Sequence, residues 1–122
     1  MDAVRLMKKY QQKGFLLIII TNQSGVNRGY FTEEDLGRFN TALVKRLEHM
    51  GVRIDAIYYC PHRPDEGCNC RKPGTGLIEK AMLDFPIDLE HSVMVGDRDD
   101  MDGEMARRLG IEFINILRAK QF

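Results

Sequence analysis

Long apolar runs are missing from this 122-residue chain, and the longest, Phe15 to Ile20, has six residues. Spanning a bilayer takes about 18–20, so no membrane partner is expected. The opening stretch, MDAVRLMKKYQQKG, lacks the apolar core of a secretory signal. Excess charge of either sign is also missing: 18 basic side chains balance 18 acidic ones, with no basic block. Binding nucleic acid without regard to sequence requires clustered Lys and Arg, so no nucleic-acid partner is expected either. Cysteine is scarce and odd in number, three in all, each between Cys60 and Cys70. Such a count without a secretory signal argues against a disulfide framework and for a reduced, cytoplasmic location. The length suits one domain with one core, and no internal repeat, low-complexity tract or linker is visible.

The periodicity that is present alternates between two kinds. Asp2 to Gln12 carries Val4, Leu6, Met7 and Tyr10 at helical spacing, with Gly14 as a stop. FLLIII, Phe15 to Ile20, reads as a strand buried on both faces, ending at the polar loop Thr21-Asn22-Gln23-Ser24-Gly25. Thr32 is an N-cap with Asp35 in the capping-box position. The helix it opens runs to about Met50, with Leu36, Phe39, Leu43 and Leu47 inward and Gly51 closing it. A second strand lies within Val52 to Tyr59. A helix follows from about Thr75 to Leu83, with Leu77, Ile78 and Met82 inward. Ser92 to Val95 is a third buried strand ending at Gly96-Asp97, Asp102 to Leu109 is helical up to Gly110, and Ile111 to Ile116 is a last strand. The alternation predicts an α/β fold, a parallel sheet with helices on both faces. Ligands of such sheets gather at the carboxyl ends of strands, where TNQSG and GDRDDMD stand.

Three stretches carry chemistry. Cys60, His62, Cys68 and Cys70 offer three thiolates and one imidazole, a set that zinc accepts tetrahedrally, and a fully protein-ligated site is normally structural. Reduced cysteines in an ordinary loop would look the same, but free Cys usually hides in a core and these stand in a polar loop. Pro61, Pro64 and Gly67 let that loop fold sharply. His49 and His91 read as surface residues. Thr21, Asn22 and Ser24 offer hydroxyl and amide donors after a strand, and Gly25 lets backbone N–H groups approach an anion. Arg71 and Lys72 follow the metal loop and could face phosphoryl oxygens. Asp97, Asp99, Asp100 and Asp102 are hard oxygen ligands suited to Mg²⁺. Acid enrichment at a helix N-terminus accounts for some of the last three, and less well for Asp97, which abuts the strand.

Together, TNQSGVNRGYFTEEDL, CPHRPDEGCNCRKPGTGLI and VMVGDRDD resemble the haloacid dehalogenase (HAD) superfamily of phosphatases, in its zinc-loop group. The likeness covers about Gly14 to Ile116. Members of that group act on heptose bisphosphate or histidinol phosphate, and TNQSG, the following RGYF and the Gly-Thr-Gly after RKP favour the first. The resemblance implies a Rossmann-like fold and a Mg²⁺-dependent phosphomonoester hydrolase acting on a small phosphorylated sugar through an aspartyl-phosphate. It further implies that Thr21 binds the transferring phosphoryl group, while Asn22, Gln23 and Ser24 complete that loop's substrate contacts. Lys72 neutralises phosphoryl oxygens, Arg71 and Arg98 contact substrate, and Asp97 ligates Mg²⁺. Cys60, His62, Cys68 and Cys70 hold a structural zinc.

Two departures stand out. The family's Asp-x-Asp-Gly-Thr motif, which carries the nucleophile and follows the central strand of its sheet, does not occur in the sequence. Met101 stands where the family usually has a second metal-binding Asp, so Asp102 would need a one-residue shift. The expectation is therefore a single domain over residues 1–122, N-terminally shortened and without its first, central strand. Its open strand edges invite self-association. Histidinol-phosphate hydrolysis is the alternative substrate reading, and a zinc-binding remnant without catalysis is the alternative to an enzyme.

Overall fold

A computed structural model describes residues 3–117 of the chain. They form two compact units that divide between Glu66 and Gly67, and each is built on its own pair of parallel strands.

The first unit contains α1 (Ala3–Gln12), β1 (Ile18–Asn22), α2 (Glu33–His49) and β2 (Ala56–Cys60). Helix α1 buries Leu6 and gives way at Gly14, whose φ of +88° suits a residue without Cβ. The capping box forms as the sequence predicts. Thr32 Oγ1 accepts from the Asp35 N–H at 3.0 Å, and Asp35 Oδ2 accepts from the Thr32 N–H at 3.1 Å. These bonds satisfy two of the donors that a helix N-terminus leaves open. Strands β1 and β2 run parallel with Ile18 opposite Ala56 and Asn22 opposite Cys60. Alternation along the strands turns Ile19 and its partner Ile57 toward the core of Leu47, Val52 and Ile54. Val4 and Met7 of α1 and Leu43 and Val44 of α2 also pack there. Fully burying side chains such as Leu36 and Leu47 contributes about 1.5–3 kcal/mol each.

Two expectations fail in this unit. The strand covers only the end of FLLIII, and none of its residues is fully buried. Among the described residues β2 is its one strand neighbour, whereas continuously apolar strands belong to sheets covered on both faces. Leu17 is tied to Asp55 through both its N–H and its C=O, but Leu16 is 44% exposed. On α2, Leu36 and Leu47 are buried, Leu43 packs on the core, and Phe39 lies largely in solvent at 60% exposure.

The second unit contains α3 (Gly76–Asp84), β3 (Val93–Gly96), α4 (Glu104–Leu109) and β4 (Glu112–Asn115). Thr75 is the N-cap of α3, which buries Leu77, Ile78 and Ala81. Met82 does not join them: it stands about 100° round the helix from Ala81 and is 41% exposed. β3 and β4 are parallel, with Val93 opposite Glu112 and Gly96 opposite Asn115. The expected burial of β3 is only partial: among the described residues it too has a single strand partner, and Val95 is exposed. Between β3 and α4 the backbone makes a π-helical turn, Asp99–Gly103. Gly110, at φ +70°, closes α4 as expected.

Glu104 opens α4 and accepts from Arg107 Nε and Nη2, both at 2.6 Å, and from Arg108 Nε at 2.9 Å. These bonds hold its carboxyl at about 2 instead of 4.5. A lowered carboxylate stabilises the fold above its unfolded pKa, and the benefit is lost as pH falls through the folded value. Glu104→Gln is therefore expected to lower the melting temperature at neutral pH. Thermal scans should show that deficit shrinking below about pH 4.5 and gone near pH 2. No described helix is long and apolar enough to cross a membrane.

Candidate functional site

β2 delivers Cys60 into the interior, where it is 0% exposed. Its Sγ lies 3.2 Å from His62 Nδ1. A short 3₁₀ turn, Pro64–Glu66, and Gly67 at φ +68° then bring the chain round. The three Sγ atoms and a His62 ring nitrogen all lie within 4.8 Å of one another. A tetrahedral zinc with bonds of about 2.0–2.3 Å needs its ligand atoms roughly 3.3–3.8 Å apart. A small contraction of this loop meets that need, and the donor set, three soft thiolates and an imidazole, suits zinc. His49 and His91 are exposed, as expected. His91 bonds Asp88 at 2.7 Å through Nδ1.

At the carboxyl end of β1, Thr21 and Asn22 still belong to the strand, and the loop begins at Gln23. The Gln23 N–H donates to the Cys60 carbonyl at 2.7 Å, and its Nε2 donates to Thr21 Oγ1 at 3.3 Å. Ser24 Oγ accepts from Arg28 Nε at 3.2 Å. Gly25 proves necessary for packing: a Cβ there would lie 2.3 Å from the Phe31 ring. The RGYF segment thus folds back onto the loop, and the Tyr30 N–H donates to the Gly25 carbonyl at 2.9 Å.

The remaining candidates belong to the second unit. Lys72, whose peptide bond to Pro73 is cis, donates through Nζ to Asp102 Oδ1 at 2.7 Å. Both side chains are largely buried, at 17% and 8% exposure. Asp102 reaches Lys72 because of the π-helical turn. The Gly103 N–H bonds the Arg98 carbonyl at 3.1 Å, closing a turn with one residue more than an α-helix uses. That extra residue supplies the one-position shift which Met101 seemed to deny. Gly96 makes room, since a Cβ there would sit 2.3 Å from Asp102 Oδ2. From the sequence, Asp102 can serve as a metal ligand only through a one-residue shift. Apolar periodicity carries no signal for a π-turn, and an acid in that position reads as ordinary dipole enrichment.

Asp97 is exposed at the end of β3. Arg98 is forked onto Asp100, with Nε at 3.0 Å and Nη2 at 2.6 Å. This pairing, above all the hydrogen bonding, raises the Arg98 pKa and lowers that of Asp100. A substrate contact by Arg98 would have to compete with Asp100. Asp99 Oδ1 accepts from Asn115 Nδ2 at 3.1 Å. Arg71 differs from all of these, because its Nη1 is buried and has no hydrogen-bond partner among the described residues. A buried donor left unsatisfied costs about 1–3 kcal/mol, and more when charged, so an oxyanion placed there would be strongly favoured. Lys72, Arg71, Asp97, Arg98 and Asp102 thus share one unit, and Thr21, Asn22, Gln23 and Ser24 share the other.

Comparison with known proteins bears on this arrangement. A family model described as HAD-hydrolase-like matches residues 69–121. A Thermoplasma acidophilum protein named as a D-glycero-D-manno-heptose-1,7-bisphosphate 7-phosphatase is 56% identical over 112 residues, 92% of this chain and 70% of that protein. The Yersinia pestis D-glycero-beta-D-manno-heptose-1,7-bisphosphate 7-phosphatase is 40% identical over 121 residues, 93% of this chain and 63% of that protein. Among solved structures, the D,D-heptose 1,7-bisphosphate phosphatase of B. bronchiseptica, complexed with magnesium and phosphate, superposes with a TM-score of 0.81. It is 32% identical, over 91% of this chain and 62% of its own.

Proposed function

Since this chain belongs to the HAD-like hydrolases, in the group of the heptose-1,7-bisphosphate 7-phosphatases, we propose that it serves hydrolysis of a phosphate monoester on a sugar bisphosphate. The observation that carries this reading is the buried, unpartnered Arg71 Nη1 beside Lys72 in sequence. A bisphosphate presents two anionic groups and needs two sets of donors. Lys72 would meet the phosphoryl group being transferred, together with Thr21 and the Asn22, Gln23 and Ser24 loop. Arg71 would meet the other phosphate, with Arg98 available once released from Asp100.

Asp97 and Asp102 are the carboxylates that would hold Mg²⁺, and the solved relative complexed with magnesium and phosphate supports Mg²⁺ as the ion. When held there, Mg²⁺ would supply positive charge against the phosphate of the substrate. Lys72 keeps the Asp102 carboxylate aimed, and Asp102 keeps Lys72 from swinging into solvent. Cys60, His62, Cys68 and Cys70 would hold zinc as a brace that fixes the backbone from which Arg71 and Lys72 project. The family's nucleophile motif is not among these residues, so the part proposed for this chain is binding, charge neutralisation and metal ligation.

Calorimetric titration in Mg²⁺ tests the reading. D-glycero-D-manno-heptose 1,7-bisphosphate is expected to bind at least tenfold more tightly than histidinol phosphate. Arg71→Ala should remove most of that difference while leaving orthophosphate affinity nearly unchanged. Equal affinity for the two esters, or tighter binding of histidinol phosphate, would favour the imidazole-bearing substrate instead.

A further inference from the structure

The loop after β1 and the cysteine loop after β2 are fastened to each other by three sets of hydrogen bonds. The Gln23 N–H donates to the Cys60 carbonyl at 2.7 Å and the Asn27 N–H donates to the Pro61 carbonyl at 3.4 Å. The third set runs between side chains: Asn27 Nδ2 donates to both Glu66 carboxylate oxygens, at 3.2 and 3.1 Å. Glu66 is held from its own side as well, since it accepts from the Arg63 N–H and its N–H donates to the Arg63 carbonyl at 3.1 Å.

We propose that Asn27 is a positioning residue, a strut that makes the order of the Gln23–Tyr30 loop depend on whether the cysteine loop is closed around its metal. Cys60 and Pro61 are one end of that connection and Glu66 the other, so a metal on Cys60 and His62 fixes the segment that Asn27 grips at both ends. Asn27 suits the task because its carboxamide donates to the carboxylate while its backbone N–H holds Pro61. An aspartate there would face Glu66 with like charge. A glutamine could still reach, at the expense of a longer side chain. The strut touches no substrate. Its effect passes through Gln23, whose side chain bonds Thr21 Oγ1, and through Ser24 and Arg28, which follow in the same loop.

This inference rests on the metal and phosphate reading given above, and its test separates the two. Amide hydrogen exchange of Gln23–Tyr30 is measured in zinc-loaded wild type, Asn27→Ala and Asn27→Gln, each before and after zinc is removed with a chelator. Orthophosphate affinity in Mg²⁺ is measured in parallel. Asn27→Ala is expected to keep its zinc, to exchange about three- to tenfold faster in this loop, the size expected for losing one hydrogen-bonded contact, and to bind orthophosphate several-fold more weakly. Zinc removal should speed exchange strongly in wild type and far less in Asn27→Ala, with Asn27→Gln in between. Unchanged loop exchange in Asn27→Ala overturns the strut, as does an equal response to zinc removal in Asn27→Ala and wild type. Glu66→Gln, which keeps the size of the side chain, should reproduce the weakened coupling, and a wild-type response from it would also overturn the proposal. If wild type shows the exchange coupling but no orthophosphate binding, the functional reading falls and the strut stands.

Discussion

Asp102→Ala is expected to destabilise the fold by about 3 kcal/mol and to abolish Mg²⁺-dependent binding of orthophosphate. The pair that Asp102 forms with Lys72 is short, 2.7 Å, and mostly out of solvent. Removing one partner of a buried pair leaves an uncompensated charge, at a cost of about 3–5 kcal/mol. The lower end applies here because the Lys72 side chain keeps 17% of its exposure. Lys72→Met should cost a similar amount, and the double variant should cost clearly less than the sum, since the second change relieves the charge exposed by the first. Gly96→Ala provides a test that leaves both charges in place. Its Cβ would fall within 2.3–2.5 Å of Asp102 Oδ2, Cγ and Cβ, so the carboxylate must move off Lys72. Urea unfolding of the four variants reads the stability. Additive losses, or a Gly96→Ala variant that binds phosphate like wild type, would show that the pair is not organised as described.

The second large effect is expected from the cysteine loop. Cys68→Ser should reduce zinc from about one ion per chain to near none and lower the melting temperature by roughly 10 °C or more. Structural zinc in small finger peptides contributes about 10–16 kcal/mol of apparent binding energy. A loss of only about 2 kcal/mol in a domain of this size already moves the midpoint by several degrees. Zinc analysis of the purified protein, paired with thermal scans before and after chelation, reads both quantities. A protein that melts at the same temperature with and without metal would mean that Cys60, His62, Cys68 and Cys70, though gathered within 4.8 Å, brace nothing.

What could be read from the sequence was what depends on near neighbours. Thr32 and Asp35 are three residues apart, and their reciprocal bonds need nothing else. The gathering of Cys60, His62, Cys68 and Cys70 is equally local, since all four lie within eleven residues. Parallel pairing followed from the alternation of elements. Burial was harder to foresee, because it depends on how many neighbours an element acquires. Ile18 to Ile20 and Val93 to Val95 look like interior strands, yet among the described residues each strand has a single partner and stays half-open. Phe39 and Met82 fit a helical stripe but fall at its margin, in solvent. Asp102 was hidden by geometry: only a π-turn places it on Lys72, and nothing in the spacing of apolar residues announces one. Arg98 is paired with an acceptor only two residues away, Asp100, and residue type alone does not show which of its neighbours an arginine will choose.

The most direct measurement is phosphate release from D-glycero-D-manno-heptose 1,7-bisphosphate by a polypeptide that carries an Asp-x-Asp-Gly-Thr strand ahead of these residues. The account predicts Mg²⁺-dependent release of one phosphate per sugar, at a rate well above that with histidinol phosphate, and its loss in Lys72→Met. Release that ignores Mg²⁺ and survives Lys72→Met, or faster turnover of histidinol phosphate, would contradict it.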